Sequence, residues 1–387
     1  MTVRDGARTI ALIGPFPPFR GGIAHFTERV GQELMTVGHR LVPVSFSRLY
    51  PAWLFPGRSQ FESDGDSGNM EVANRAELDS INPFSWGAAA RAILRERIDA
   101  AVFMYWHPFF AMAYRGVARR LERAGIPMVA IVHNALPHER HPFDALLSRS
   151  FLQQCTAVAT LSQSVEADVR GLAPGVPTTV IMHPPYDRFG ASVSRTQARA
   201  ELGLDPEDEI LLFFGLVREY KGLDVLLRAL GTLQAVRHRL HLLVAGEFYE
   251  DRGRYEALIR DMNLEGRVHI TDRYVATPEV GRYFGAADAV VQPYRSATQS
   301  GIIQIAMHFG RPVITTDTGG LAEPIQSAGS GLVVPPDDPE ALAGAICEFF
   351  DAGNRGVMES RAREAGDAAD WGAFASFIGE HTLKPTD

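Results

Sequence analysis

Two stretches of the chain carry residue types suited to gripping a phosphorylated ligand. The first is Phe214-Gly215-Leu216-Val217-Arg218-Glu219-Tyr220-Lys221-Gly222-Leu223-Asp224. The apolar run from Ile210 to Phe214 reads as a buried strand ending at Gly215, and a helical pattern starts near Leu223. Arg218 and Lys221 therefore fall in a strand-to-helix loop. An arginine offers a bidentate fork and a lysine a mobile point charge, a good pair for a diphosphate. The second stretch is Thr298-Gln299-Ser300-Gly301-Ile302-Ile303-Gln304, set between the strand patterns Ala289–Gln292 and Pro312–Thr315. A helix between two buried parallel strands opens onto the carboxyl edge of the sheet, where unpaired amides and the positive dipole end collect anions. The Ser300 hydroxyl can cap that helix, and the bare Gly301 lets a phosphate come close to the backbone. Each stretch alone has a plain reading, a solvated basic loop and a capped turn. Their convergence on one sheet edge favours a diphosphate site.

The first half of the chain offers weaker signals. Thr9 to Gly14 is a short strand, then comes Gly14-Pro15-Phe16-Pro17-Pro18-Phe19-Arg20-Gly21-Gly22, and an amphipathic helix follows from about Ile23 to Val37. The turn lacks the G-x-G-x-x-G spacing of a dinucleotide fingerprint. Gly21-Gly22 can admit a ligand close to the backbone, although a tight turn explains the pair nearly as well. His133 ends the strand pattern Pro127–Val132, where a neutral imidazole could accept a proton from a hydroxyl or hydrogen-bond a sugar. His138 and Glu139, one short loop onward, could do the same. Together with His141 these residues make no metal-binding spacing, so zinc is not expected. A nucleophile elbow, a Walker-type phosphate loop and paired cysteines are all lacking from the sequence.

The elements that must position these residues alternate strand and helix throughout. The first series is Thr9–Gly14, Leu41–Phe46, Ala100–Trp106, Pro127–Val132, Thr156–Leu161 and Thr178–Met182. The second restarts at Ile210–Phe214 and runs to Gly331–Val334. This is the pattern of an α/β fold with two doubly wound, Rossmann-like parallel sheets. Such halves are expected to leave a ligand cleft between them. The expected division is 1–190, a polar linker within 184–207, then 206–365, and a last stretch 366–387 that returns to the first domain. Between Ser47 and Asn82 the periodicity lapses around Tyr50, Trp53, Leu54 and Phe55. These aromatics either pack inward or meet a greasy acceptor or a membrane surface.

Composition sets outer limits. With 387 residues, 46% hydrophobic and 22% charged, the chain is long enough for two cores. A formal net charge of -8 argues against nucleic acid as the main partner. Two cysteines, Cys155 and Cys347, suit a reducing compartment and exclude a disulfide framework. The polar start Met1–Arg8 does not read as a signal peptide, and no apolar run is long enough to span a bilayer. A cytoplasmic location is expected.

Taken together, these motifs resemble a retaining glycosyltransferase of the two-Rossmann-domain GT-B architecture, of the family 4 kind. The resemblance covers nearly the whole chain and is strongest from 210 to 335. Its marks are Arg218-x-Tyr220-Lys221-Gly222-Leu223-Asp224, Ser296-Ala297-Thr298-Gln299-Ser300-Gly301, Gly310-Arg311-Pro312 and Thr318-Gly319-Gly320-Leu321-x-Glu323. It implies that Arg218 and Lys221 bind the donor diphosphate and stabilise the departing nucleotide without a metal ion. It places the amides of Ser300-Gly301 on the distal phosphate, Tyr274-Val275 at the nucleobase, and Gly21-Gly22 against the diphosphate and the acceptor. His133-Asn134 matches the strand-end histidine that faces the transferred sugar, and Trp371 the tryptophan heading the returning helix. Many members carry two glutamates eight positions apart where this chain has Ala297 and Ile305. A subgroup with the Ser-Ala-Thr-Gln-Ser-Gly pattern shares that loss, which leaves Thr298, Gln299 and Gln304 as candidates for the sugar hydroxyls.

The resemblance implies transfer of a hexose from a nucleotide diphosphate sugar, such as a UDP- or GDP-hexose, to an acceptor hydroxyl. No further cofactor is expected. A nucleotide-sugar 2-epimerase and a sugar-binding pseudo-enzyme are the alternatives on the same architecture. The aromatics at Tyr50–Phe55 point to a glycan or lipid-linked acceptor and a peripheral contact at the inner membrane face.

Overall fold

The structure, a computed structural model, describes residues 7–51, 59–61, 75–137, 141–186, 189–190, 192–368 and 370–382, with the backbone alone for residues 75 and 76. The chain divides into two compact units, Met1–Met182 with Asp370–Asp387, and His183–Ala369.

In the first unit, strands β1 (Thr9–Ile13), β2 (Arg40–Arg48), β3 (Arg75–Asp79), β4 (Ala100–Tyr105), β5 (Met128–Val132), β6 (Ala157–Thr160) and β7 (Thr178–Val180) form a parallel sheet in the order β3-β2-β1-β4-β5-β6-β7. Helices cross over between them, so the central strands are covered on both faces. Their sequences are accordingly unbroken apolar runs: every residue of β4 and β5 is buried. The helix Gly22–Thr36 follows β1 and packs against the last helix, Gly372–His381. Phe26 supplies the contact, with its ring 5.1 Å from Trp371 and 5.3 Å from Phe374. Arg29 lies over the Trp371 ring at 5.2 Å, and Arg8 donates to Gly379 O and Thr382 Oγ1 at 3.1 and 2.8 Å.

Strand β3 lies inside the stretch read from sequence as aperiodic. It pairs with β2 through an irregular register near Phe46, so its alternation is not regular. Tyr50 turns inward, stacking on Phe109 at 5.7 Å and accepting from Trp106 Nε1 at 3.1 Å. Trp53, Leu54 and Phe55 lie outside the described residues.

In the second unit, strands β8 (Glu209–Phe214), β9 (Leu240–Ala245), β10 (Val268–Thr271), β11 (Ala289–Gln292), β12 (Val313–Thr316) and β13 (Gly331–Val334) are parallel in the order β10-β9-β8-β11-β12-β13. The winding reverses between β8 and β11, the switch point at which doubly wound sheets bind ligands beyond their carboxyl ends. The unit begins at His183, and the stretch read as a polar linker holds a helix, Arg195–Leu202. That helix is anchored by a buried arginine: Arg199 donates to the carbonyls of Ala286, Pro206 and Asp208 and to Asp288 Oδ1. Buried guanidinium pairing replaces the apolar pattern by which a helix is normally read.

Candidate active site

The two loops singled out from sequence follow β8 and β11, the adjacent strands at the switch point of the second unit. Backbone packing makes the first loop rigid. Gly215 has φ +97° and donates to Ala245 O at 2.9 Å. A Cβ at Gly246 would come within 1.9 Å of Gly215 O, so only glycine fits where the two strand ends meet. Val217 N donates to Glu247 O at 2.9 Å and Tyr249 N to Val217 O at 3.1 Å, extending the pairing beyond the strands. A short 3-10 turn, Glu219–Lys221, then leads into the helix Leu223–Leu233, which starts where the pattern placed it.

The β11 loop clamps this first loop from the side. Arg295 N donates to Tyr220 O at 2.7 Å, and the Arg295 guanidinium bonds Glu219 O at 2.8 Å and the Asp224 carboxylate at 2.9 and 2.7 Å. Burial works against the Asp224 charge, but the Arg295 hydrogen bonds and charge outweigh it and hold the carboxyl below its ordinary range. On its other side the β11 loop is braced by Thr316 and Thr318, whose hydroxyls donate to Tyr294 O at 2.6 and 3.4 Å. Gly320 N donates to Thr298 O at 3.0 Å.

These constraints aim the cations. Arg218 lies over the Tyr249 ring at 5.1 Å. Lys221 is only 8% exposed, and its ammonium stands 5.5 Å from the centre of the Tyr294 ring. Burial first, and the charge of Arg218 second, push the Lys221 pKa down to about 8. Such a lysine has too little compensating negative charge around it, and a bound anion would supply that.

The helix Gly301–His308 opens beside the same ammonium. Ser300 caps it, Oγ accepting from Ile302 N at 3.2 Å. The Cβ position of Gly215 lies 3.4 Å from Ile302 Cδ1 and 3.5 Å from Lys221 Nζ, so the lysine and a side chain of the helix's first turn both approach Gly215. Thr298 and Gln299 stand half-buried just before the cap, and Gln304 is buried within the helix. Ala297 and Ile305 are buried. Tyr274 and Val275 follow β10, two strands away along the same carboxyl edge.

In the first unit, Gly21 has φ +116° and heads the helix Gly22–Thr36. His133 follows β5 directly, is buried, and sets its ring edge-on against Phe26 at 4.7 Å. Phe26 thereby couples His133 to Trp371 within one aromatic cluster. Asn134 is half-buried beside it, while His138 and Glu139 lie outside the described residues. His25, buried in the first turns of the helix after the glycine pair, was not singled out from sequence, and nor were Arg295 and Tyr186. A lone histidine or tyrosine carries no spacing signal, and the partners of Arg295 lie 71 and 76 residues away.

Among the described residues no group of three or more His, Cys, Asp or Glu side chains is placed to hold a metal ion, and no helix is long and apolar enough to cross a membrane.

The comparisons with known proteins agree with this architecture. Residues 20–187 match the sequence family described as Glycosyltransferase Family 4, and residues 208–352 the one described as Glycosyl transferases group 1. The D-inositol 3-phosphate glycosyltransferase of Kineococcus radiotolerans is 28% identical over 221 residues, 51% of this chain and 50% of that one. The lipopolysaccharide core biosynthesis mannosyltransferase LpsB of Rhizobium meliloti is 30% identical over 183 residues, 46% of this chain and 51% of that one. The aligned stretches thus span about half the length of these relatives. Among solved structures, HepE of Anabaena in complex with UDP superposes with a TM-score of 0.72 at 16% identity, covering 96% of this chain and 98% of that one. Two consecutive family matches and two doubly wound parallel sheets lead to one conclusion: the chain belongs to the family 4 glycosyltransferases of GT-B architecture.

Proposed function

We propose that the protein transfers a hexose from a nucleotide diphosphate sugar to an acceptor hydroxyl with retention of anomeric configuration. The observation that carries this reading is the approach of Lys221 Nζ and of Ile302, in the first turn of helix Gly301–His308, to the same residue, Gly215. Arg218 and Lys221 would take the diphosphate, the amides of Ser300 and Gly301 the distal phosphate, and Tyr274 and Val275 the base. As the sugar–phosphate bond breaks, charge grows on the leaving diphosphate, and these donors stabilise it without a metal ion. Retention then proceeds on the donor's same face, since no side chain in the sequence stands out as a covalent nucleophile. His133 and Asn134 would hydrogen-bond the transferred sugar, and His138 and Glu139 the acceptor side. Thr298, Gln299 and Gln304 remain the candidates for sugar hydroxyls.

The UDP complex of HepE supports a nucleotide donor, and the biosynthetic role of LpsB supports an acceptor in glycan or glycolipid assembly. The acceptor is proposed to be a glycan or a lipid-linked sugar, met by peripheral contact with a cytoplasmic membrane face. Phe84, Phe143 and Leu146 support that contact, standing 89%, 69% and 64% exposed at the starts of helices Pro83–Arg95 and Asp144–Leu152.

The test is release of UDP or GDP across a donor panel, with and without polyprenyl-linked sugars. Acceptor-dependent release supports transfer, acceptor-independent turnover points to a 2-epimerase, and binding without turnover to a pseudo-enzyme. Arg218→Ala at wild-type rate contradicts the diphosphate assignment.

A further inference from the structure

Three described residues near the start of the second unit, Tyr186, Phe189 and Gly190, lie against helix Gly301–His308. At the far end, His308 Nε2 contacts Gly190 O at 3.1 Å, and the Phe189 ring lies 6.3 Å from the His308 ring. At the near end, the Tyr186 Cε2 and hydroxyl oxygen both lie 3.5 Å from the Cβ position of Gly301. Tyr186 is 6% exposed and forms a wall beside the residue that starts the helix.

The polarity of that wall is set by His183. His183 Nδ1 lies 2.7 Å from Pro184 O, which can only accept, so Nδ1 carries the hydrogen. The other nitrogen, Nε2, then presents a lone pair, and Tyr186 donates its hydroxyl hydrogen to it across 3.1 Å. Burial pushes the His183 pKa down to about 4, so the ring stays neutral and the arrangement persists at ordinary pH. With its hydrogen committed, the phenol oxygen turns lone pairs to its other neighbours. Lone pairs repel a phosphate oxygen and attract a hydroxyl hydrogen.

We infer that Tyr186 is a specificity-determining residue that accepts a hydrogen bond from a hydroxyl of the sugar carried on the distal phosphate. The inference rests on the donor site proposed above, which puts that phosphate at the amide of Gly301. It fills a need of this chain, because Ala297 and Ile305 offer no group that can read a hydroxyl. Tyr186 discriminates the sugar and leaves the diphosphate to Lys221 and Arg218.

The test compares Tyr186→Phe with wild type by titration calorimetry. The ligands are UDP, GDP, UDP-glucose, UDP-galactose, UDP-N-acetylglucosamine and GDP-mannose. The variant is expected to bind the free nucleoside diphosphate within about twofold of wild type and the best sugar nucleotide about five- to tenfold more weakly, the loss of one hydrogen bond. Equal loss for both ligands would show that Tyr186 only props the helix, and no loss for either would remove it from the site. A wild-type protein that binds none of the six brings down the donor site itself. Should Tyr186→Phe fail to fold, His183→Leu keeps the tyrosine, removes the acceptor at Nε2 and frees the hydroxyl hydrogen. An unchanged preference for sugar nucleotide over nucleoside diphosphate in that variant also overturns the inference.

Discussion

Arg295 and Asp224 form a two-point pair, Nη1 to Oδ1 at 2.9 Å and Nη2 to Oδ2 at 2.7 Å. The same guanidinium holds Glu219 O at 2.8 Å, so one side chain from the β11 loop fixes both the 3-10 turn and the helix after it. Arg295→Met should lower stability by about 1–3 kcal/mol, a buried-pair penalty reduced because both partners are partly exposed. The Asp224 carboxyl lies below its ordinary range when folded, so the pair stabilises above the unfolded pKa and its contribution fades as pH falls through the folded value. Urea unfolding at pH 7 and at pH 3 should therefore show a larger difference between wild type and variant at pH 7. An equal difference at both pH values would mean that the pair carries no stability of its own.

Diphosphate binding should depend on pH through Lys221. Its pKa near 8 means that the free protein loses the ammonium charge as pH rises through that value. The bound form, facing an anion, holds the proton to higher pH. Affinity for the nucleoside diphosphate is thus expected to be flat below about pH 7 and to fall by up to tenfold per pH unit above about pH 8. Calorimetry in two buffers of different ionisation heat should show proton uptake on binding near pH 8. No uptake there would contradict a lysine–diphosphate contact.

The same residue should show a conflict between stability and activity. A lysine whose folded pKa is depressed destabilises the fold at any pH below that pKa, and the penalty is relieved as pH rises from about 8 towards the unfolded 10.5. Lys221→Met is then expected to be more stable than wild type at pH 7 by about 2–3 kcal/mol. Turnover should fall by about 10²–10³, the usual cost of removing one group that stabilises leaving-group charge. A variant that is both destabilised and active would reverse the assignment.

How much of this was legible beforehand follows from what each element uses to hold itself. Strands β4, β5, β8 and β11 are buried on both faces, so their apolar runs show in the sequence, and the loops that follow β8 and β11 could be placed from them. Arg218, Lys221 and Ser300 were visible because their types and their position after such strands carry the signal. Strand β3 was not, since it sits on the sheet edge with an irregular register, and neither was helix Arg195–Leu202, held by Arg199 rather than by an apolar stripe. Tyr186 and Arg295 were also hidden. Their roles come from partners brought together by the fold, Gly301 and Asp224, with no local spacing to announce them.

Gly222 and Gly203 give a controlled test of how tightly the site loops are joined. Both sit at φ 69°, ψ 29°, the left-handed region that costs a side chain about 1 kcal/mol or more. Around the Cβ position of Gly203 there is nothing within 4 Å, whereas that of Gly222 falls 2.0 Å from Pro293 O. Gly203→Ala should therefore show the conformational penalty alone and leave nucleotide binding untouched. Gly222→Ala carries the same penalty plus a collision between two backbones, and relief requires the β8 loop to move away from the β11 loop. That movement separates Lys221 from the opening of helix Gly301–His308, so the expected result is a stability loss at least twice that of Gly203→Ala together with more than a tenfold loss of diphosphate affinity. If both alanine variants cost the same and both still bind, the two loops are not held in register by this contact.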